Sequence, residues 1–481
     1  MLANPLSPSW LLPPADAAAL PAHVWPSSAE RTAGGAIAIG GVSLPRLAAE
    51  YGTPLYVVDE QDARDRASRT FAAFTAAAAA QGATASVYYA GKAFLCTEAA
   101  RWMIAEGLNI DVASGGELAV ALAAGVEPAR LGLHGNNKSL AEIDRAVGVG
   151  VGAIVIDSMI EIERVAAAAE RHDRVQPVRL RINSGVHANT HEYLATARED
   201  QKFGISLAEA PEAVAVIRGH ASLRFLGLHS HIGSQIFAVE GFLEAARRLL
   251  SLHAELRTGG DVPELNLGGG FGIAYVASDE APAIEQVADA LLVAVASVCG
   301  ELGIPVPHVA VEPGRTIIGP AGVTVYEVGT AKDVVVTLGE SGAIDAHSPP
   351  TAVRRYVSVD GGMSDNARTA LYGADYSVAL ANRVSSSEPL LVRVAGKHCE
   401  SGDIVVRDAY LPADVQPGDL VAVPATGAYC FSLASNYNYL PRPAVVAVRA
   451  GVARVIVRGE TESDLLRRDV FARAADQTPL P

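Results

Sequence analysis

Eight short runs of apolar and β-branched residues recur through the first two thirds of the chain. Each is followed by a longer Ala-, Leu- and Glu-rich stretch with helical spacing. The runs cover residues 86–90, 109–113, 131–134, 153–157, 178–183, 225–231, 264–267 and 308–312, after an opening run at 55–59 that stands outside the count. Strands that alternate with helices pair in parallel, because a helical crossover brings the chain back to the same end of the sheet. A closed (β/α)8 barrel and a doubly wound open sheet both satisfy that rule. Eight units favour the barrel.

Beyond Gly322 the texture changes. Apolar runs at 390–394, 404–406, 420–423, 444–448 and 453–457 are separated by Gly, Pro and Asp turns such as Pro417-Gly418-Asp419, and helical stretches are sparse. The expected fold is α/β plus all-β: a (β/α)8 TIM-like barrel over 56–322 and a C-terminal β-barrel or sandwich domain over 323–481. Residues 1–35, rich in Pro and Ala, read as a loosely held tail. Residues 36–55 form an N-terminal segment expected to pack with the β domain. The stretch 339–351 (GESGAIDAHSPPT) reads as an exposed loop.

Composition narrows the function. Among 481 residues, 38 Lys and Arg stand against 53 Asp and Glu, a formal net charge of −15. Such a surface repels phosphate backbones and anionic lipid, so neither nucleic acid nor a membrane is an expected partner. Cys96, Cys299, Cys399 and Cys430 lie far apart with no CxxC pair. That usage fits a reducing compartment and suggests neither a disulfide framework nor a metal site. The N-terminal stretch lacks a basic start and is broken by prolines, unlike a secretory signal. The longest apolar run, 290–299, is about half of what a bilayer needs. A cytoplasmic protein is expected.

In a barrel, the side chains that act on substrate sit just past the C-terminal ends of the strands. The first barrel run ends in Tyr88-Tyr89-Ala90-Gly91-Lys92 and the sixth in His229-Ser230-His231-Ile232-Gly233-Ser234-Gln235. The seventh leads into Gly268-Gly269-Gly270-Phe271-Gly272 and the eighth into Glu312-Pro313-Gly314-Arg315. Four glycines in five residues let backbone N–H groups curl into an anion nest. Alone they read equally well as a tight turn, but barrels often bind phosphate at the loops after strands seven and eight. A strand-end lysine ordinarily points into water. Desolvated beside a phosphate nest, Lys92 could instead form a Schiff base with an aldehyde. Pyridoxal 5′-phosphate carries both groups, so one cofactor accounts for both features. Glu312 would keep its pyridine nitrogen protonated, which makes the ring an electron sink. His231 could pack flat on the ring, although on spacing alone a satisfied core histidine is as good a reading.

These residues resemble the fold-type III pyridoxal-phosphate-dependent decarboxylases, and among them the diaminopimelate decarboxylase branch, from about Ile37 to Gly459. The motifs run in order: Tyr89-Ala90-Gly91-Lys92, NIDVASGGEL at 109–118, HGNNKS at 134–139, THEYLATAREDQKFG at 190–204, HIGSQ at 231–235, GGGFG at 268–272 and EPGR at 312–315. DNARTALYGA at 365–374, CESGD at 399–403 and GAYC at 427–430 complete the series. The resemblance implies that Lys92 holds the cofactor, that His231 stacks on its ring and that Glu312 pairs with its pyridine nitrogen. It implies phosphate contacts from Ser234, Gly268, Gly269, Gly270, Gly272, Gly314, Arg315 and Tyr429. Substrate contacts would come from Arg315, Arg368, Tyr372, Glu400 and Tyr429. Cys399 would return a proton to Cα after carbon dioxide leaves. The Cys399-Glu400 segment would enter the site of a partner subunit, so a homodimer with a shared active site is implied. The implied reaction converts meso-2,6-diaminopimelate to L-lysine, the last step of lysine biosynthesis.

The chemistry of the residues agrees with these roles. The unreactive end of diaminopimelate carries a carboxylate and an ammonium. Arg368 and Arg315 can hold the carboxylate in bidentate fashion, and Glu400 can pair with the ammonium. Arg368 and Tyr372, four apart, would face the same way on a helical turn. For Cys399 a buried, inert thiol is the commoner fate. One alternative is a sister decarboxylase of ornithine, arginine or a carboxylated polyamine, against which Arg368, Tyr372 and Glu400 count. An amino-acid racemase favours an unprotonated pyridine nitrogen, and Glu312 counts against it. A non-catalytic pyridoxal-phosphate-binding protein would not need the second domain or Cys399-Glu400.

Overall fold

The computed structural model describes residues 4–186, 202–338, 351–470 and 472. The chain divides into two compact units. One is a barrel of residues 63–273 and 280–319; the other, a β unit, takes residues up to 62, 274–279 and everything from 320 on.

The barrel strands are Ala85–Ala90, Asn109–Val112, Leu131–Leu133, Ala153–Ile156, Gln176–Asn183, Leu223–His229, Glu264–Asn266 and His308–Val311. Each pairs in parallel with the next, and the eighth returns to the first through Val309 opposite Ala85, which closes the cylinder. Ile110, Ile154, Leu180, Leu228, Leu265 and Val309 are fully buried. Burying such a side chain contributes about 1.5–3 kcal/mol, and this drives the recurrence of apolar runs along the sequence. Polar caps stop the loops between them. Ser139 accepts the N–H of Glu142 while the Glu142 carboxylate accepts that of Ser139, so helix Leu140–Val149 begins directly after the HGNNKS motif.

The opening run forms strand Leu55–Asp59 of the β unit, antiparallel to Gly322–Thr337 and parallel to Val445–Arg449. All five of its residues are buried. A buried strand needs partners for its backbone groups on both edges, and the β unit supplies them. For that reason the β unit reaches back to residue 62, rather than starting after a barrel that spans 56–322. The sheet continues outward from Gly322–Thr337 through Thr351–Val359, Pro389–Ala395 and Ile404–Pro412, and on the other side through Val445–Arg449 to Val452–Val457. Leu420–Pro424 pairs with the first part of Gly322–Thr337 and carries Ala379–Leu380.

The N-terminal stretch departs from a loose tail. Val24 and Trp25 are buried in one core with Ile37, Ile39, Leu44, Leu47, Val323 and Val448. Arg31 donates to the Leu380 carbonyl at 2.8 Å, and Glu30–Arg31 pairs with Ile37–Ile39. One tryptophan outweighs the surrounding Pro and Ala. Of the expected loop, residues 339–350 lie outside the described residues, and Thr351 opens a strand. Residues 190–201 of the THEYLATAREDQKFG motif also lie outside them. Among the described residues no helix is long and apolar enough to cross a membrane.

Candidate active site

The C-terminal ends of the barrel strands surround a cavity of about 380 Å³, lined by Lys92, Asp111, Glu117, His134, Arg181, Phe203, His229, His231 and Glu312 among others. That volume suits a small cofactor. Lys92, His231 and Glu312, expected together from sequence, thus share one mouth.

Glu312 follows strand His308–Val311 and is buried. The Asn266 amide donates to its Oε1 at 2.8 Å, while Asn266 Oδ1 accepts the N–H of Gly268, also at 2.8 Å. His229 Nε2 lies 3.0 Å and His134 Nε2 3.6 Å from the same carboxylate oxygen. Burial works to raise the Glu312 carboxyl, but the His229 and His134 imidazoles outweigh it and hold the group well below the usual carboxylate range. Burial depresses His229 to about 4 despite its carboxylate neighbour. Asp111, 3.0 Å from His134 Nε2, is pushed up by burial.

Both oxygens of Asp111, Nε2 of His134 and both ring nitrogens of His229 are buried without an aligned hydrogen-bond partner among the described residues. Each such atom costs about 1–3 kcal/mol if nothing meets it. A ligand that brings a ring N–H to Glu312 and polar substituents to the flanking groups removes that cost, so the residues present fit pyridoxal phosphate. The donor atoms of His134, His229 and Glu312 also lie within 4.8 Å of one another, a spacing open to a metal ion. No metal is expected from the sequence, where the three members stand far apart at three separate strand ends.

His231 accepts the N–H of Gly269 at its Nδ1, 3.3 Å away. Burial, then the nearby Lys92, pushes its imidazole well below the ordinary range, which keeps it neutral. Gly268 and Gly270 hold φ of +68° and +106°, and a Cβ on either would collide with the carbonyl of Ser230 or Gly233. Phe271 anchors the loop between the rings of Phe74 and Phe242, at centroid distances of 5.8 and 5.1 Å. The N–H groups of Gly268, Gly269 and Gly272 are already engaged by Asn266, His231 and Ile236. The loop therefore presents less of a nest than four glycines suggest. Arg315 donates to Ser234 Oγ at 2.7 Å beside it, and a Cβ on Gly314 would press on Ala90. Lys92 sits in the turn Gly91–Ala93 and is exposed, so the desolvated amine expected from sequence is not found.

Asp111, His134, Arg181, His229 and Asn266 went unassigned in the sequence. The signal was present, since all five lie at or just past the ends of barrel strands, where the other candidates were found. Arg181 lies over the ring of Phe203 at 4.1 Å and 3.8 Å from Asp157.

The remaining candidates lie in the β unit. Arg368 is buried, donates to the Tyr376 hydroxyl at 2.6 Å and lies 4.6 Å over the ring of Tyr275. Its Nε is buried without a partner among the described residues. Tyr372, at the other end of helix Arg368–Tyr372, is 68% exposed. The two differ in burial although they lie four apart on one helix, because Arg368 and Thr369 pack inward while Ala370, Leu371 and Tyr372 are exposed. Cys399 is free and exposed, and Glu400 is exposed beside it, on the turn before Ile404–Pro412. Tyr429 holds φ of +64°, rare for a bulky residue, in the turn at 427–430.

Residues 67–319 match the family of pyridoxal-dependent decarboxylases, pyridoxal binding domain. A diaminopimelate decarboxylase from Mycobacterium tuberculosis is 52% identical over 456 residues, covering 93% of this chain and 98% of its own. One from Staphylococcus aureus is 42% identical over 437 residues, 90% of this chain and 98% of its own. The solved diaminopimelate decarboxylase from M. jannaschii, in complex with L-lysine, superposes with a TM-score of 0.83 at 30% identity, covering 92% of this chain and 98% of that one.

Proposed function

The chain belongs to the pyridoxal-dependent decarboxylases and, within them, to the diaminopimelate decarboxylases, and from that membership we propose how its own residues carry out the decarboxylation of meso-2,6-diaminopimelate to L-lysine. The observation that carries the reading is the gathering of Lys92, His231 and Glu312 around one cavity, beside buried atoms of Asp111, His134 and His229 that have no aligned hydrogen-bond partner among the described residues. Lys92 would tether pyridoxal phosphate. His231, neutral, would give the ring a flat face, and ionised Glu312 would accept its pyridine N–H. Asn266 braces Glu312, while His134 and Asp111 line the same wall. Ser234, Gly314, Arg315 and Tyr429 would hold the phosphate, with Gly268, Gly269, Gly270 and Gly272 giving it room to approach, since three of their N–H groups are already engaged. When bound, the cofactor supplies an electron sink for the pair left on Cα as carbon dioxide departs.

Recognition of the unreactive end falls to Arg315, Arg368, Tyr372, Glu400 and Tyr429. The partner-poor guanidinium of Arg368, stacked among tyrosines, suits a bidentate carboxylate. Cys399 would donate the proton that replaces carbon dioxide at Cα. Its exposure on a turn supports delivery into the site of a second copy, and hence a homodimer with a shared site, operating in the cytoplasm. A substrate panel scored for carbon dioxide release tests the reading. Diaminopimelate should be the productive substrate, and release from ornithine or arginine but not from diaminopimelate would overturn it.

A further inference from the structure

Asp403 closes the CESGD turn and is buried, as is His398 at the other end of the turn, while residues 399–402 between them are exposed. The Asp403 carboxylate accepts two backbone N–H groups from different segments: His398 donates to Oδ2 at 2.7 Å and Met363 to Oδ1 at 2.6 Å. Charge-assisted bonds of this kind are about twice as strong as neutral ones. The first pinches the neck of the turn that presents Cys399 and Glu400. The second ties that neck to the segment leading to Arg368. There Gly362 O accepts the N–H groups of Asp365 and Asn366, and Asn366 Oδ1 accepts that of Arg368.

A second brace runs parallel to the first. His398 Nε2 accepts the N–H of Ser364 at 3.3 Å and meets its hydroxyl at 2.8 Å. Since a backbone N–H can only donate, the imidazole proton sits on Nδ1, which donates to Asn438 Oδ1 at 3.1 Å. The ring stacks on Tyr437 at 5.2 Å. A Cβ on Gly362 or Gly396 would press into the Asp403 carboxylate, so the chain has been cleared on both sides of it.

We propose that Asp403, together with His398, is a positioning residue that fixes the proton donor Cys399 and the recognition group Glu400 on their turn and anchors that turn to the segment leading to Arg368. The inference rests on the roles proposed above for those three residues. A carboxylate is required because two N–H donors converge on two oxygens, whereas an amide would set an N–H against one of them. In the reaction the Cα–carboxylate bond breaks, its electron pair stays on Cα, and a proton from Cys399 forms the new bond. Run in D2O, a fixed donor places deuterium on one face of that carbon, and a displaced donor does not.

The test uses the holoenzyme with diaminopimelate in D2O, comparing Asp403→Asn, His398→Phe and Cys399→Ala with the parent. His398→Phe keeps the ring on Tyr437 and the backbone N–H to Asp403, and it decides the matter if Asp403→Asn does not fold. Either positioning variant should raise KM, lower kcat by up to about 100-fold and scatter the label over both faces. Loss of stability alone would leave the stereochemistry of labelling intact. If Cys399→Ala scatters the label while folded Asp403→Asn and His398→Phe keep parental kcat, KM and single-face labelling, the positioning role is refuted and the donor role survives. If Cys399→Ala itself keeps single-face labelling at the parental rate, the donor assignment fails, and the positioning proposal goes with it.

Discussion

Glu312 and Cys399 illustrate two ways for a chain to hold a reactive side chain. Glu312 sits at the end of a strand in a closed barrel, buried and fixed by Asn266, with His229 and His134 close by. Cys399 sits on an exposed turn between buried Asp403 and His398, whose side chains brace the neck of that turn. The contrast matches the tasks proposed for the two residues. Setting the charge of a group needs burial and fixed neighbours, because water would screen both. Meeting a substrate that arrives and leaves needs access. The barrel mouth is thus preorganised within its own unit, whereas the turn leaves Cys399 and Glu400 open to solvent.

The sharpest way to break the barrel half of this comparison is Lys92→Ala. Turnover should fall by roughly 10³-fold or more, together with the near-visible absorbance of bound cofactor. Parental turnover in that variant would end the assignment. Next comes the support beneath the mouth. Buried Lys138 donates to the carbonyls of Gly135 and Val155 at 2.7 and 2.6 Å and to Glu161 at 2.9 Å, pinning the loop that starts at His134. Lys138→Met leaves Glu161 buried and unpaired and should cost about 3–5 kcal/mol in urea unfolding. Lys138→Met with Glu161→Leu should recover much of that loss, and no recovery would mean that the pair itself is not what holds the loop.

For the β unit, Arg368→Ala should lower kcat/KM by roughly 10- to 100-fold, chiefly through KM. Tyr372→Phe, at an exposed site, should do much less. Equal effects would erase the distinction between buried and exposed recognition groups. The smallest effect concerns buried Asp365, whose carboxyl burial pushes up to about 7, although Tyr326 and the Gly362 N–H act against it. Because its folded pKa lies above the unfolded value of 3.8, the folded state retains a proton that the unfolded state has lost. Stability from this group is complete below about pH 4 and declines as pH rises through 7. Between pH 6 and pH 8 the decline is roughly 1.4 kcal/mol. Asp365→Asn should flatten this part of the urea-midpoint profile, and an unchanged slope would place the titration elsewhere.

The barrel was legible because each strand must be apolar on both faces, so its runs stand out without knowledge of the partners. Lys92, His231, Glu312 and the glycine loop were legible by their place after those runs. Other features depend on packing that no local pattern records. Leu55–Asp59 looks like any barrel strand, and its membership of the β sheet is decided by neighbours far along the chain. The spacing of Arg368 and Tyr372 suggested a shared face, but spacing does not show that burial ends between them. Trp25 was hidden by its composition. His134, His229 and Asp111 gain meaning only when three strand ends converge.

The β sheet is assembled from both extremities of the polypeptide, with the whole barrel spliced between them. Leu55–Asp59 leaves the ribosome early, yet both strands that flank it, Gly322–Thr337 and Val445–Arg449, are translated after the barrel is complete. Until then its two edges have no mates. A nascent chain released before residue 445 would carry a finished cylinder and an unfinished sheet, with an edge of a mostly apolar strand open to the wrong neighbour.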